Sequence, residues 1–304
     1  MITDQDIERF YCKALELVKE SGAIVQRAFG ERKQFETKSE FTDLVTQYDR
    51  QVEQLLIGKL QEEYPNHKFI GEESVAAGIK SELTNDPTWI IDPIDGTMNF
   101  VHGFPVVAVS VALAVQKEIV VGIVYNPALD QLYTAVKGHG SFCNGTRLKV
   151  SGQNEISKAL IISEVGSSRD PGHMEFVFRN MHNLMQKAPG LRCLGSTAVN
   201  MCFVASGGAD AFYEFGMHVW DMAAAALIVT EAGGVVLDTQ GDIAGVQDDH
   251  TASATTDTGT SQINVEGRQY RGFEAKCTKS DVNKTVFNFS SVVSLKCISL
   301  ELNH

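Results

Sequence analysis

The sequence predicts a mixed α/β protein of the α+β type, with helices and sheets packed in layers. Three observations carry this expectation. Two long amphipathic stretches open the chain, a run rich in β-branched residues follows, and short strands then alternate with helices.

Residues 4–29 read as the first helix. Thr3 and Asp6 have the form of a capping box, Phe10, Ala14, Leu17, Val18 and Ile24 recur at near-helical spacing, and Gly30 fits the end. A second helix is expected over about 43–63, capped by Thr42, striped by Val45, Tyr48, Val52, Leu55, Leu56 and Leu60, and stopped by Pro65. Phe69-Ile70 and Trp89-Ile90-Ile91 are short apolar runs. Residues 106–115, 120–125 and 132–136 read as strands separated by turn signals such as Asn126-Pro127. Further on, 159–163 reads as a strand, 174–186 as a helix, and 199–205 as a helix ended by Gly207-Gly208. Residues 210–214 read as a strand, 221–231 as an alanine-rich helix ended by Gly233-Gly234, and 235–238 as the start of a strand.

At about Thr239 the composition changes. Residues 251–261, TASATTDTGTS, are small and polar without periodicity, the pattern of loop or disorder. Residues 286–302 are apolar enough for one or two strands but have little local partner. The chain therefore divides at 238, with 239–304 expected to be a divergent, partly disordered tail.

With 304 residues, 43% of them hydrophobic, the chain can build a sizeable core. Its 38 acids exceed its 26 bases, a formal charge of −12 without any basic run. That balance argues against nucleic acid or a membrane surface as a partner. The tail holds eight acids and six bases, so −10 of the charge falls within 1–238. Cys12, Cys143, Cys193, Cys202, Cys277 and Cys297 form no CxxC pair and read as reduced thiols of an intracellular, cytoplasmic protein. The opening residues lack a signal peptide's basic and apolar regions. The longest apolar stretch, 106–115, is too short for a bilayer span of about 20 residues.

The segment from Trp89 to Thr97 is the most informative. A short apolar strand delivers Asp92 and Asp95 into a turn in which Pro93 fixes one backbone angle and Gly96 permits close approach of a ligand. Two carboxylates so close repel unless a cation lies between them, and hard divalent ions take such oxygen ligands. The Ile94 carbonyl offers a further oxygen, and the Thr97 hydroxyl could orient a water. Glu72 and Glu73 also follow an apolar run, and Asp221 begins the alanine-rich helix, where it equally satisfies the rule for a helix cap. Together these acids would make a divalent-cation cluster able to activate water and clamp a phosphate.

The sequence resembles the inositol monophosphatases, of the magnesium-dependent, lithium-sensitive phosphatase superfamily. The resemblance rests on Gly71-Glu72-Glu73-Ser74, on Trp89 through Thr97 followed by Asn99-Phe100-Val101-His102, and on Trp220-Asp221 with Glu231-Ala232-Gly233-Gly234. The strings Asp43-Leu44-Val45-Thr46, Phe142-Cys143-Asn144-Gly145, Asn200-Met201-Cys202 and Gly207-Gly208-Ala209-Asp210 are similar to the animal enzymes. It spans roughly 5–238 and implies a layered αβαβα sandwich, shared with the fructose bisphosphatases, for a catalytic domain at 1–238 that is incomplete at its C-terminal end.

The resemblance further implies hydrolysis of myo-inositol monophosphate by direct in-line attack of a magnesium-activated water, without a phosphoenzyme. Glu72, Asp92, the Ile94 carbonyl, Asp95 and Asp221 would be the Mg2+ ligands. Glu72 and Thr97 would position and deprotonate the water, with Asp49 and Lys38 nearby. The backbone of Asp95, Gly96 and Thr97 would hold phosphate oxygens. Glu214 would contact inositol hydroxyls beside Gly195, Ser196 and Thr197, with His218 lining the site and Asp221 touching substrate. A homodimer is implied too. Read alone, Lys38 is a surface lysine and Asp49 belongs to a solvated helix face. Met98 stands where the family commonly has a second threonine, and Thr197 where related enzymes often have alanine. Alternatives are a 3′(2′),5′-bisphosphate nucleotidase or other sugar phosphatase, and, in another class, an impaired isoform acting only as a dimer partner.

Overall fold

A computed structural model describes residues 2–31, 33–38, 41–238 and 291–294. Helix α1 (Asp4–Phe29) starts at the expected box: the Asp6 amide donates to Thr3 Oγ1 and the Thr3 amide to Asp6 Oδ2. The second helix, α2 (Gln47–Glu63), begins later than its periodicity suggests, and Thr46 rather than Thr42 caps it. Thr46 Oγ1 accepts from the Tyr48 amide at 3.1 Å and donates to Asp49 Oδ2 at 2.5 Å. The residues ahead of it are extended, β1 (Phe35–Thr37) pairing antiparallel with β2 (Leu44–Thr46). Val45 and Thr46 are β-branched, so a strand suits them better than a first helical turn. Thr42 instead donates to the Ser167 carbonyl at 2.7 Å.

Seven strands then form one sheet in chain order: β3 (Lys68–Gly71), β4 (Thr88–Asp95), β5 (Ala108–Val115), β6 (Glu118–Asn126), β7 (Gln131–Val136), β8 (Gly140–Cys143) and β9 (Thr146–Arg147). Only β3 and β4 run parallel; the short helix α3 (Glu72–Ala76) lies in their connection. The period of two sorts the side chains between faces. Trp89 and Ile91 join α1 and α2 in one core, whereas Ile90 joins a second core on the other face. Between Asp92 and Asp95 the register with β5 shifts by one residue, a bulge at Pro93, which has no amide to give to the ladder. The bulge re-aims the end of β4 into the turn at Gly96 and the short helix α4 (Thr97–His102).

The second half builds a second sheet. β10 (Leu160–Ser163) lies between β11 (Gly190–Arg192) and β12 (Ala211–Glu214), parallel to both, and the connection to β11 is α5 (Pro171–Met185). α5 starts at Asp170, which accepts from the His173 amide, and has Pro171 in its first turn, three residues ahead of the expected start. α6 (Thr197–Ala205) and α7 (Val219–Glu231) fill the space between the two sheets, their alanines and small residues almost wholly buried. β13 (Val235–Asp238) completes the element order of 1–238. Between β12 and β13 sits β14 (Ser291–Ser294), antiparallel to both. The result is the layered α+β sandwich expected from the sequence. The loop expected at 251–261 lies outside the described residues. Of the stretch 286–302, residues 291–294 are described, and their strand partners are distant in sequence.

Candidate active site

The ends of β3, β4, β10 and β12 and the starts of α2, α6 and α7 converge on a cavity of about 840 Å³. Lys38, Glu72, Asp95, Gly96, Thr97, Gly195, Ser196, Thr197, Glu214, His218 and Asp221 all line it. Asp49, Asp92 and Ile94 do not line it; they are buried at 1%, 2% and 1% exposure. Every residue nominated from the sequence is thus at the cavity or bonded to something that is.

The acids dominate its electrostatics. Burial raises Asp92 well above the ordinary carboxylate range, and the charges of Glu72, Asp95 and Asp221 push it further; a Glu72 hydrogen bond adds to this. Asp221 is likewise raised, by burial and then by Asp95, even though the His218 amide donates to its Oδ2 at 2.6 Å. Asp95 is pushed up to about 6 by burial, against the bonds it accepts from Ser196 Oγ at 2.5 Å and the Ala198 amide at 2.7 Å. Three buried acids, Asp92, Asp95 and Asp221, raised in this way beside Glu72 define a spot of concentrated negative potential.

Among the described residues, no three His, Cys, Asp or Glu side chains converge as a ready-made metal cage. Protein donors hold the acids instead. Lys38 Nζ bridges Glu72 at 2.6 Å and Glu73 at 2.7 Å, Asp92 accepts from the Ile94 amide at 3.1 Å, and Asp95 and Asp221 have the partners just named. The donor set still fits a hard divalent ion: it is all oxygen, it includes a backbone carbonyl, and its repulsion is what a cation relieves. Lys38 is no surface lysine. Burial alone would lower its pKa, but the two glutamates outweigh this and hold it above its usual value. Burial, then the Glu72 charge, pushes Glu73 up to about 7.

Asp49 is equally far from the solvated face its place in the helix suggests. It is raised to about 6, chiefly by burial. Its Oδ1 accepts from Thr97 Oγ1 at 3.1 Å, and the same hydroxyl lies 3.1 Å from the Ile94 carbonyl. The hydroxyl has one proton to give to either of these acceptors, so its own oxygen remains available to accept a hydrogen bond. Gly96 has φ +86°, and a Cβ there would come within 2.9 Å of the carbonyl oxygens of Val106 and Gly195, so glycine alone allows this turn. On the opposite wall Thr197 Oγ1 donates to Glu214 Oε2 at 2.7 Å. Although Glu214 is only half-buried as a residue, protein encloses its carboxyl group, and that burial pushes it up to about 8. His218 stacks on Trp220, ring centroids 4.6 Å apart, and burial lowers its pKa.

Three supporting groups escape the sequence reading. Glu53, one turn after Asp49, accepts from the Glu73 and Ser74 amides at 2.8 Å each and so fixes the start of α3. Asn99 Nδ2 ties α4 to the Leu194 carbonyl at 2.6 Å. Glu164 follows β10 and accepts from the Leu194 and Gly195 amides. An acid directly after an apolar strand is the signal that singles out Glu72 and Asp92, and it was present at Glu164 too.

The chain also matches known proteins in sequence and in fold. The model of the inositol monophosphatase family matches residues 6–272, running past the composition change at 239. The chain is 53% identical to human inositol monophosphatase 1 over 229 residues, 75% of this chain and 83% of that protein. It is 49% identical to human inositol monophosphatase 2 over 235 residues, 77% and 82%. Among solved structures, an IMPase from Thermotoga maritima superposes with a TM-score of 0.70 at 31% identity, covering 79% of this chain and 89% of that one.

Proposed function

Because the chain belongs to the inositol monophosphatase family, we propose that Glu72, Asp92, Asp95 and Asp221, with the Ile94 carbonyl, form its reaction centre and hold Mg2+. The chain is a phosphomonoesterase that hydrolyses inositol monophosphate to inositol and phosphate, and the family is generally metal-dependent. The relatives do not favour a nucleotidase, another sugar phosphatase or a non-catalytic dimer partner. The observation that supports the metal assignment is the gathering of Asp92, Asp95 and Asp221, each raised by burial and by neighbouring acids, beside Glu72 at one cavity.

Magnesium, when bound, draws electron density from the phosphate and acidifies water. The chain's own groups do the rest. Thr97 Oγ1, set by Asp49 and the Ile94 carbonyl, orients the attacking water, and Glu72 takes its proton. The amides of Gly96 and Thr97 face phosphate oxygens at the turn after β4. Glu214, Ser196 and Thr197 bind the polyol on the far wall, and Lys38 and His218 keep Glu72 and Asp221 in place. The catalytic domain is built mainly from 1–238, with β14 (Ser291–Ser294) supplying the strand between β12 and β13 of its second sheet. The same reading extends to a lithium-sensitive, cytoplasmic homodimer acting on a small molecule, without nucleic-acid or membrane partners. Among the described residues no helix is long and apolar enough to cross a membrane.

Phosphate release from inositol 1-phosphate, with magnesium and with chelator, tests this. Release should require the ion, and Asp92→Asn should lower it by about a hundredfold or more while the protein stays folded. Equal rates in chelator, or full turnover by the variant, would remove the metal assignment. A preference for adenosine 3′,5′-bisphosphate would overturn the substrate.

A further inference from the structure

The turn at 194–198 is clamped between two buried carboxylates. On one side a single oxygen, Glu164 Oε1, accepts from the Leu194 amide at 2.6 Å, the Gly195 amide at 2.8 Å and Asn200 Nδ2 at 2.8 Å. On the other side Asp95 accepts from Ser196 Oγ at 2.5 Å and from the Thr197 and Ala198 amides at 3.3 and 2.7 Å. Four backbone amides within five residues thus point at two acids. Gly195, at φ +79°, turns the chain between them. Thr197 leaves this turn with its hydroxyl on Glu214.

We infer that Glu164 is a positioning residue for the polyol: it presets the 194–198 turn and, through Thr197, the aim of Glu214. The inference rests on the reading of the cavity as an inositol monophosphate site. Glu164 is 9% exposed, and among the described residues its partners are N–H donors rather than a cation. A buried carboxylate in that setting is sustained by charge-assisted bonds, which are short and directional. None of the three goes to the core of the second sheet; all go to the turn or to Asn200 in the first turns of α6. Removing the carboxylate would leave three N–H donors of the turn and of Asn200 without their acceptor, so its loss is felt first in the geometry of the turn. The link to Glu214 concerns the ring hydroxyls and not the phosphate, so the effect should depend on the alcohol half of the substrate.

The test compares inositol 1-phosphate with p-nitrophenyl phosphate, which has no ring hydroxyls, at saturating magnesium, alongside thermal melts. Glu164→Ala should lower kcat/KM for inositol 1-phosphate about tenfold, mainly through KM, and reduce its preference over the aryl ester by a similar factor. Glu164→Gln keeps the shape and one acceptor oxygen but loses the charge, and should recover part of that loss, leaving the preference about threefold below wild type. An equal fall on both esters, or a folded Glu164→Ala with unchanged preference, overturns the inference. Should Glu164→Ala fail to fold, Glu164→Gln carries the test: a preference lowered about threefold supports the role, and an unchanged one ends it. Wild-type protein inactive on inositol 1-phosphate would instead overturn the substrate reading, so the two failures are separable.

Discussion

At the scale of single residues, burial decides the chemistry of the acids, and sequence alone does not report burial. Asp92, Asp95, Glu72 and Asp221 are legible because each follows an apolar run or opens a helix, and a strand end is where a sheet exposes reactive groups. Asp49 and Lys38 are legible only through the family resemblance, since a helix face and a hairpin end both read as solvated until Lys38 reaches Glu72 and Glu73. Glu214 offers a pH test of this burial. Its carboxyl is raised from 4.5 to about 8 by burial first, with the Thr197 bond opposing. The unfolded chain therefore releases this proton near pH 4.5, whereas the folded chain keeps it until about pH 8. Across that window the folded state binds more protons, so Glu214 lowers folding stability as pH rises. Glu214→Gln removes the titration. Melts in chelator should show the variant gaining on wild type from pH 5 to pH 8, and a pH-independent difference would place the carboxyl in a solvated setting.

At the scale of elements, long stretches with a strong period were legible and short connecting pieces were not. α1, β5, β6 and α7 fall close to their expected bounds because many residues vote for each. The hairpin β1–β2 and the short α3 and α4 exist through contacts with distant parts of the chain, such as Glu53 at the start of α3, and carry little local signal. The closeness of α7 to the first sheet is likewise a matter of packing. Gly122 in β6 lies under α7, and a Cβ there would collide with the Ala224 carbonyl oxygen. Backbone cannot yield as a side-chain tip can, so Gly122→Ala should cost about 1–3 kcal/mol. Gly58, in the middle of α2, has nothing within 4 Å of a Cβ. Gly58→Ala should add about 0.5–1 kcal/mol through helix propensity. Urea unfolding of the two variants reads both; midpoints shifting in opposite directions are expected, and a Gly122→Ala midpoint that does not fall would mean that α7 does not sit this close to the sheet.

At the scale of the whole molecule, the open question from the sequence is what the last 66 residues contribute, since the composition change at 239 gives them no evident place. The sheet topology gives four of them one. β14 pairs with β12 through Phe212 and Val293 and with β13 through Val236 and Val293, so it closes the second sheet between two strands that do not pair directly. It also reaches the site, because Ser291 is the register partner of Glu214 at the end of β12. A chain ended at 238 would leave the inner edges of β12 and β13 without hydrogen-bond partners, and such edges invite association between chains. It should melt at least about 5 °C lower than the full-length protein and aggregate at lower temperature. Its KM for inositol 1-phosphate should rise, because Glu214 loses the strand that holds its backbone. Differential scanning calorimetry of the two chains, with the same assay, checks this. A truncated chain that melts and turns over like the full-length one would show that β14 adds nothing to the sheet and that the fold is complete by residue 238.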